Sequence, residues 1–299
     1  IDIVLELPVV FGCQAADIFS YQSIYLLNKL NIDTLVFGSE SGDIKTIRKI
    51  GVMQQDSGYN KLVKDYLNKG LNYPTAMARA LDIDFEFNPN DLLGISYLKA
   101  IDKINPRIKA VTIKRTSSYH DLESNSNIIS ASNIRNKFLS NVDVSPYTPY
   151  FARMIKPNID LYFKVLKCKI LTDTKLDSYL DVTEGLDYRL KKVIRECNSL
   201  EELINNLKSK RYTYNKISRT LVHILLGITP EVNAQDSYLK VLGFSKEGSN
   251  YLKKLDIDFN LYKHHPLYKY ELNSSMIYDL INNTDTYSYE KKNKPVIKD

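Results

Sequence analysis

The chain has 299 residues, which is enough for about two domains that each bury a core. Its 43% hydrophobic and 25% charged residues are ordinary for a globular protein, and no apolar run reaches the ~20 residues of a membrane span. Residues 1–150 carry 16 basic and 16 acidic side chains, whereas residues 151–299 carry 25 and 19, so the net charge of +6 belongs to the second half. The composition therefore argues against a membrane protein. The basic half is typical of a protein with an anionic macromolecular partner, although solubility alone could also explain so mild a bias.

Short apolar runs alternate with helical patterns in the first half. The predicted strands are Ile1–Leu7, Thr34–Phe37 and Lys109–Lys114. The predicted helices are Asp17–Leu30, Tyr59–Lys69, Pro74–Leu81, Leu92–Lys103 and Asn133–Leu139. This alternation is typical of an α/β fold with a parallel sheet, in which ligands bind at the carboxyl ends of the strands.

A short stretch with two prolines, residues 144–149, predicts a domain boundary after residue 148. Beyond it the pattern is mainly helical, with predicted helices at Pro149–Ile155, Ile159–Leu171, Gly185–Glu196, Ser199–Lys208 and Thr213–Leu226. From Asp256 on we expect a short strand, a helix near Ser274–Asn282 and a loose tail. The sequence thus predicts an α/β domain over residues 1–148, followed by a mainly α-helical domain over residues 149–299.

Three cysteines, Cys13, Cys168 and Cys197, lie far apart and show neither a metal-ligand spacing nor a disulfide framework. Free thiols suit a reducing compartment, so we expect a cytoplasmic protein. The chain begins with an apolar run and without Met, and we expect further sequence upstream of Ile1.

Ser130, Ser132 and Arg135 form a Ser-x-Ser-x-x-Arg pattern at the start of a predicted helix. With Ser132 as the expected N-cap, the free N–H groups of the first turn and the guanidinium could together bind a phosphate. An ordinary serine-capped surface helix has the same pattern, so this motif alone leaves both interpretations open.

Three more positions are candidates for contacts with an anion or a nucleotide. Gly38 follows a strand, where a missing Cβ either admits a ligand or simply permits a turn. Asn90 either caps a helix or binds a ribose or base edge. Arg115 is either a surface charge or, with the two serines and His120 that follow it, part of an anion-binding set. His120, beside Asp121, also invites an acid–base role.

Residues 210–226 carry the strongest signal for nucleic-acid binding. On a helix, Ile217, Leu221 and Ile224 share a face that we expect to be core. The candidate nucleic-acid-binding side chains of this segment are Lys210, Arg211, Tyr212, Lys216, Arg219 and His223, of which the last four share another face. Such a stripe can follow a phosphate backbone and stack on an unpaired base, although a solvated basic face has the same composition.

Taken in chain order, these segments resemble the bacterial tRNA(Met) cytidine acetate ligase family, a branch of the nucleotidyltransferase-like superfamily. The matching stretches are Asp2–Pro8, Ala16–Phe19, Phe37–Asp43, Pro89–Gly94, Ser118–Asp121, Ile129–Arg135, Glu184–Leu186 and Lys210–Thr213. They span the whole chain, and together they are far more specific than any one of them alone.

The resemblance implies a Rossmann-like domain, incomplete at its N-terminus, followed by a helical domain that binds tRNA. It also implies that ATP and acetate form acetyl-adenylate and pyrophosphate, and that the acetyl group then passes to the wobble cytidine of elongator tRNA(Met). Acetate, elongator tRNA(Met) and ATP with Mg²⁺ are therefore the expected ligands. By analogy with the family, Gly38, Asn90 and Arg115 match ATP-binding positions, and a second group, Ser130, Ser132 and Arg135, matches a phosphate-contacting motif.

One departure from the family concerns its His-x-Gly-His motif. The four histidines, His120, His223, His264 and His265, include no pair three residues apart, so the motif is absent from this sequence. We therefore expect a truncated or degenerate member that cannot adenylate acetate unaided. Two other functions stay open, namely a non-catalytic RNA-binding protein with a vestigial nucleotide fold and a nucleotidyltransferase with another acceptor.

Overall fold

The computed structural model describes residues 1–71, 73–82, 85, 87–116, 127–209, 212–258, 260–292 and 294–298. The strands are β1 (Ile3–Glu6), β2 (Thr34–Ser39), β3 (Lys109–Lys114), β4 (Lys240–Ser245) and β5 (Val296–Lys298). The helices are α1 (Val9–Gly12), α2 (Ala16–Lys29), α3 (Ile44–Met53), α4 (Ser57–Asn68), α5 (Tyr73–Leu81), α6 (Pro89–Ile104), α7 (Ala131–Leu139), α8 (Ile159–Thr172), α9 (Leu186–Val193), α10 (Leu200–Leu207), α11 (Tyr214–Leu226), α12 (Pro230–Asn233), α13 (Lys246–Lys254), α14 (Tyr268–Asn282) and α15 (Thr286–Lys292). Among the helices described, none has the length and apolar character that a bilayer span requires.

The chain divides into two compact units, which we call the central unit and the composite unit. The central unit is Ala16–Lys156, and the composite unit combines Ile1–Ala15 with Pro157–Asp299. The sequence predicts a boundary after residue 148, which is a few residues before the central unit ends at Lys156. The first residues of the chain, however, belong with the second half rather than with the α/β part.

The central unit is built on the parallel pair β2–β3, whose register runs from Thr34 opposite Lys109 to Ser39 opposite Lys114. Helices α3 and α6 pack against this pair, and α2 packs against α6. Apolar residues at helical spacing form the core, among them the fully buried Ile24, Ile47, Ile50 and Ile101. Parallel strands among many helices confirm the α/β fold class predicted from the sequence.

Gly94 lets helix α6 approach strand β2 closely. A Cβ added at Gly94 would lie 2.6 Å from Phe37 Cε2, and the Phe37 ring already packs against Tyr97 with 5.6 Å between ring centroids. We therefore expect Gly94→Ala to lower the unfolding free energy of the central unit by about 1–3 kcal/mol, measured by urea denaturation. Gly51→Ala is the matched control, because the nearest atoms to its added Cβ lie at an ordinary 3.8 Å. If both variants were as stable as the parent chain, the close approach would not constrain this position.

A helical bundle, α8 to α11, forms the main core of the composite unit. Its fully buried residues include Leu166, Ile170, Leu203, Ile217 and Ile224. Helices α8, α10 and α11 begin where side-chain oxygens of Asn158, Ser199 and Thr213 accept backbone N–H groups of the first turn, which is why these N-termini could be predicted closely.

Several elements of the second half differ from the sequence predictions. The predicted helix Pro149–Ile155 is reduced to a 3-10 turn at Phe151–Arg153. Pro157 disfavours helical geometry in the residue before it, so a helix has no room to continue there. Strand β4 was not predicted, and β5 lies where a loose tail was expected. The short strand expected soon after Asp256 is not found among the described residues before α14, where a 3-10 turn lies at Leu261–His264.

Strand β1 is a strand, as predicted, but it lies in a different sheet. It pairs antiparallel with β4, with Ile3 opposite Phe244 and Glu6 opposite Lys240, and β5 joins the other side of β4 in parallel orientation. The expectation that it belongs to the parallel sheet of the first half is wrong. An apolar run of this length specifies a strand but not its partner, which here comes from the far end of the chain.

Candidate functional site

A tight turn, Gly38–Asp43, leads from β2 into α3 and is fastened to helix α6 by a buried carboxylate. Ser39 Oγ donates to Asp91 Oδ1 at 2.6 Å, and Ser41 donates to the same carboxylate from its backbone N at 3.2 Å and from its Oγ at 2.9 Å. Asp91 is fully buried. Within the turn Gly42 has φ +67°, and a Cβ there would lie 2.8 Å from Lys114 Cβ, so glycine is required. These bonds make the turn a rigid platform.

Glu40 makes the reciprocal connection from the turn to the N-terminus of α6. Its Oε2 accepts the backbone N–H groups of Asn90 and Asp91, both at 3.1 Å, and its Oε1 accepts Asn90 Nδ2 at 2.6 Å. First-turn N–H groups have no acceptor within their own helix, and the N-cap residue Asn88 makes no side-chain capping bond. The Glu40 carboxylate supplies that acceptor together with a negative charge that suits the helix dipole.

Gly38 and Arg115 are neighbours at the carboxyl ends of the two parallel strands. Gly38 lies opposite Ile113, and Arg115 N donates to Ser39 O at 2.9 Å. A Cβ on Gly38 would lie 3.7 Å from Arg115 Cγ. The half-buried Arg115 has an enclosed Nε without a hydrogen-bond partner among the described residues, so this donor can serve an added anion. Gly38, Asn90 and Arg115 are thus brought together around one turn.

Sequence reasoning missed Glu40, Asp91 and the serines of the turn as parts of this site. A signal for them existed, because Ser-Glu-Ser-Gly-Asp follows a predicted strand and Asn-Asp lies at the start of a predicted helix. Strand ends and helix starts are where side chains satisfy free backbone groups. The pairing between the two segments could not be derived, because they lie far apart along the chain.

The second predicted group lies at the start of α7 and differs from prediction in its cap. The helix begins at Ala131, and Ser130 is the N-cap, since its Oγ accepts Asn133 N at 3.0 Å. The expectation that Ser132 caps a helix from Asn133 is therefore wrong; both serines fit the capping pattern, and burial of Ser130 and Asn133 selects the earlier one. Ser132 Oγ instead accepts Arg135 Nη2 at 3.2 Å, so hydroxyl and guanidinium share one exposed helix start.

Several predicted residues lie outside the part of the chain that the structure describes. These are His120, Asp121 and the serines at 117 and 118, as well as Lys210 and Arg211 of the basic segment. The acid–base role of His120 stays a prediction. Within the described ranges, no group of three or more His, Cys, Asp or Glu side chains is arranged to hold a metal ion.

Two members of the predicted basic stripe are buried, so the stripe is not one exposed face. Tyr212 is 7% exposed, lies in the bundle core and donates its hydroxyl to Thr183 O at 2.8 Å. His223 is fully buried. Lys216 and Arg219 are half-buried, with Lys216 Nζ 4.6 Å from the centroid of the Tyr212 ring. Burial removes the stacking surface that the prediction required of Tyr212 and His223.

The imidazole of His223 is held by acceptors on both of its nitrogens. Nδ1 lies 3.3 Å from Leu180 O and 3.4 Å from Asp181 Oδ2, and Nε2 lies 3.2 Å from Cys13 O. Burial by itself would lower the pKa of His223, but the hydrogen bond with Asp181 and the interaction with Cys13 reverse this effect and raise the pKa to about 9. The hydrogen bond from His223 likewise lowers the pKa of Asp181, helped by the charges of His223, Arg219 and Lys216.

The comparisons with known proteins agree with one another. The sequence profile of the HIGH Nucleotidyl Transferase family matches residues 1–297. The tRNA(Met) cytidine acetate ligase of Clostridium perfringens strain SM101 is 32% identical over 322 aligned positions, which cover 94% of this chain and 80% of the relative. The tRNA(Met) cytidine acetate ligase of Mycoplasma mobile is 36% identical and covers 75% of this chain and 78% of the relative.

Two solved structures share the fold. Thermotoga maritima TmcAL in apo form I superposes with a TM-score of 0.83 at 21% identity, over 99% of this chain and 84% of that chain. The same protein bound with alpha-thio ATP superposes with a TM-score of 0.80 at 22% identity and the same coverage. The fold, the profile match and the sequence identities lead to one conclusion: the chain belongs to the tRNA(Met) cytidine acetate ligase family of the HIGH nucleotidyl transferases.

Proposed function

We propose that this chain carries the ATP site and the tRNA-binding part of a ligase that acetylates the wobble cytidine of elongator tRNA(Met). The observation that carries the proposal is the convergence of Gly38, Asn90 and Arg115 on one rigid turn at the carboxyl ends of two parallel strands. Relatives named as tRNA(Met) cytidine acetate ligases, and a structure of the same fold bound with alpha-thio ATP, support it.

In the first step an acetate oxygen attacks the α-phosphorus of ATP, the bond to the bridging oxygen breaks, and pyrophosphate leaves. Negative charge grows on the phosphates, and prepositioned guanidinium, hydroxyl and N–H groups stabilise it. Arg115 would serve one part of the triphosphate, and the α7 group of Ser130, Ser132 and Arg135 would serve another. Mg²⁺ would be bound mainly by phosphate oxygens and water, as this ion prefers, and no side chain is assigned to it.

In the second step the exocyclic amine of the cytosine attacks the acetyl carbonyl of acetyl-adenylate, AMP leaves with the bonding electrons, and the amine nitrogen releases one proton to solvent. This step asks the protein to hold an unstacked base against the mixed anhydride rather than to form a covalent intermediate. The partly exposed cations Lys216 and Arg219, together with Lys210 and Arg211, are the residues that we assign to the tRNA backbone.

The direct test is to incubate the 299-residue chain with ATP, labelled acetate and tRNA. Where the complete reading frame encodes a longer protein, that protein is incubated in the same way. Because the 299-residue sequence has no His-x-Gly-His motif, we expect it to bind ATP and tRNA without moving label. Label in the tRNA from the longer protein supports the ligase. ATP binding without label in either protein favours another acceptor, and tRNA binding without ATP binding favours the non-catalytic RNA-binding alternative.

One single and one double variant should separate the binding of ATP from the binding of tRNA. Arg135→Ala removes a guanidinium from the α7 group and should weaken ATP binding about tenfold or more, the usual effect of losing a charge-assisted hydrogen bond, with tRNA binding retained. The double variant Lys216→Ala, Arg219→Ala should weaken tRNA binding, with ATP binding retained. The slope of the logarithm of the tRNA association constant against the logarithm of salt concentration should become shallower by about one to two. Titration calorimetry and filter binding measure these effects. Equal losses of both ligands in both variants would contradict the division of labour.

A further inference from the structure

The Asn90 amide has a fixed orientation, because Glu40 holds one of its two ends. We propose that Glu40 is a positioning residue that turns Asn90 so that its Oδ1 faces the nucleotide and accepts a hydrogen bond from it. This inference rests on the proposed ATP site. Asn90 would then contact the nucleoside end of ATP, and Glu40, to which the sequence alone assigns no role, would fix the orientation of Asn90.

Glu40 contacts the nitrogen end of the Asn90 amide. An ionised carboxylate only accepts hydrogen bonds, whereas an amide has a donor end and an acceptor end. The 2.6 Å contact from Glu40 Oε1 therefore requires the nitrogen of Asn90, as the structure has it, and excludes the flipped amide. Because the amide is planar, its oxygen points away from Glu40.

Glu40 is itself held in place by the start of helix α6. Its other oxygen accepts two backbone N–H groups of α6, from Asn90 and Asp91. Asp91 in turn binds Ser39 and Ser41 on either side of Glu40 in the turn. The carboxylate is thus fixed from both segments, so the orientation of the Asn90 amide is built in before any ligand arrives.

The Asn90 amide oxygen can recognise only a hydrogen-bond donor of the ligand. An acceptor needs a donor, and the triphosphate of ATP at neutral pH offers acceptors only. The donors of ATP are the amino group of adenine and the 2′ and 3′ hydroxyls of ribose. Asn90 is therefore assigned to the nucleoside end of ATP, while Arg115 is left to the phosphates.

The decisive variant is Glu40→Gln, which keeps the size of the side chain and exchanges one acceptor for a donor. The oxygen of the new glutamine can still accept the two backbone N–H groups, which directs its NH2 group at Asn90. The Asn90 amide must then flip and present a donor to the nucleotide. We expect ATP binding to weaken about tenfold by calorimetry, and Glu40→Gln combined with Asn90→Asp, which restores an acceptor facing the ligand, to recover most of the affinity.

Nucleotide analogues identify the donor and provide a test that needs no variant. One of inosine triphosphate, 2′-deoxy-ATP and 3′-deoxy-ATP should bind the unaltered chain at least about tenfold more weakly than ATP. If that analogue is inosine triphosphate, Glu40→Gln should favour it over ATP, because its base has an acceptor in place of the amino group. Equal binding of all four nucleotides by the unaltered chain would overturn the proposal.

Thr46→Val separates positioning from general loosening of the turn. It removes the hydrogen bond from Thr46 Oγ1 to Asp43 Oδ2 at the end of the turn and leaves the Glu40–Asn90 contact, so it should lower the melting temperature without changing the order of nucleotide preference. If Glu40→Gln behaved in the same way, or if the double variant recovered nothing, Glu40 would be only structural. If the unaltered chain did not bind ATP at all, the proposed function would fail instead.

Discussion

Replacing Lys240 by methionine is expected to lower the unfolding free energy of the composite unit by about 3–5 kcal/mol. Lys240 is 1% exposed, and its Nζ lies 2.6 and 2.7 Å from the two carboxylate oxygens of Glu290 and also pairs with Glu6. Methionine fills the volume of the lysine stem but leaves two carboxylates facing each other in a poorly solvated site. Circular dichroism melts should show a fall of about 10 °C in the transition of this unit.

Two further variants identify charge as the cause. Lys253→Met removes an exposed lysine of the same unit and should leave the transition within about 2 °C of the parent chain. Adding Glu6→Gln and Glu290→Gln to Lys240→Met removes the unpaired charges and should recover a large part of the loss.

Proteolysis gives a second measurement, because Glu6 ends β1 and its release should expose residues 1–15. No difference between Lys240→Met and Lys253→Met would mean that this cluster is not stabilising.

The same cluster shows what a sequence cannot reveal about a strand. Strand β4 begins at Lys240. Because lysines are mostly exposed, a lysine at this position does not indicate a buried strand, and β4 was not predicted. The burial of Lys240 depends on carboxylates from β1 and α15, which lie at opposite ends of the chain. A non-local pairing of this kind leaves no local pattern. Strand β1 was placed in the wrong sheet for the same reason.

Helices were predicted more accurately than strand partners, because their signals are local. Helix α8 was expected at Ile159–Leu171 and is Ile159–Thr172, and α11 was expected from Thr213, which is its cap. Helix α3 was missed although Asp43 caps it and Ile44, Ile47 and Ile50 follow at helical spacing. The signal for α3 is therefore local and present in the sequence, unlike that for β4.

For the candidate site, the sequence supplied the positions and the structure supplied the connections between them. Gly38, Asn90 and Arg115 could be proposed from a strand-end glycine, a helix-start asparagine and a strand-end arginine. The Glu40 and Asp91 bonds that bring them together join segments about 50 residues apart, and only the fold reveals them. Burial of Tyr212 and His223 was likewise hidden, because a helical wheel cannot show that a second segment covers the basic face.

Raising the pH is expected to remove a large stabilising contribution from His223. The pKa of His223 is raised to about 9 from an ordinary value of 6.5, so the native state binds this proton more tightly than the unfolded chain does. The stabilisation is complete below pH 6.5 and is lost as the pH rises through 9. It amounts to about 3 kcal/mol, and the fully buried imidazole is little screened by solvent.

The measurement is the difference in unfolding free energy between the parent chain and His223→Gln, from urea denaturation at pH 6, 8 and 9.5. The difference should shrink as the pH rises, because only the parent chain has this proton to lose. Other titrating groups cancel in the difference, including Glu271, whose pKa burial raises to about 7. His264→Gln, at an exposed histidine, should show a difference near zero throughout. A large gap between the parent chain and His223→Gln that stayed constant with pH would mean that His223 acts by shape alone. A difference in unfolding free energy that shrinks with rising pH would show that the protonated, buried His223 connects residues 1–15 to helix α11. Alkaline pH would then weaken this connection.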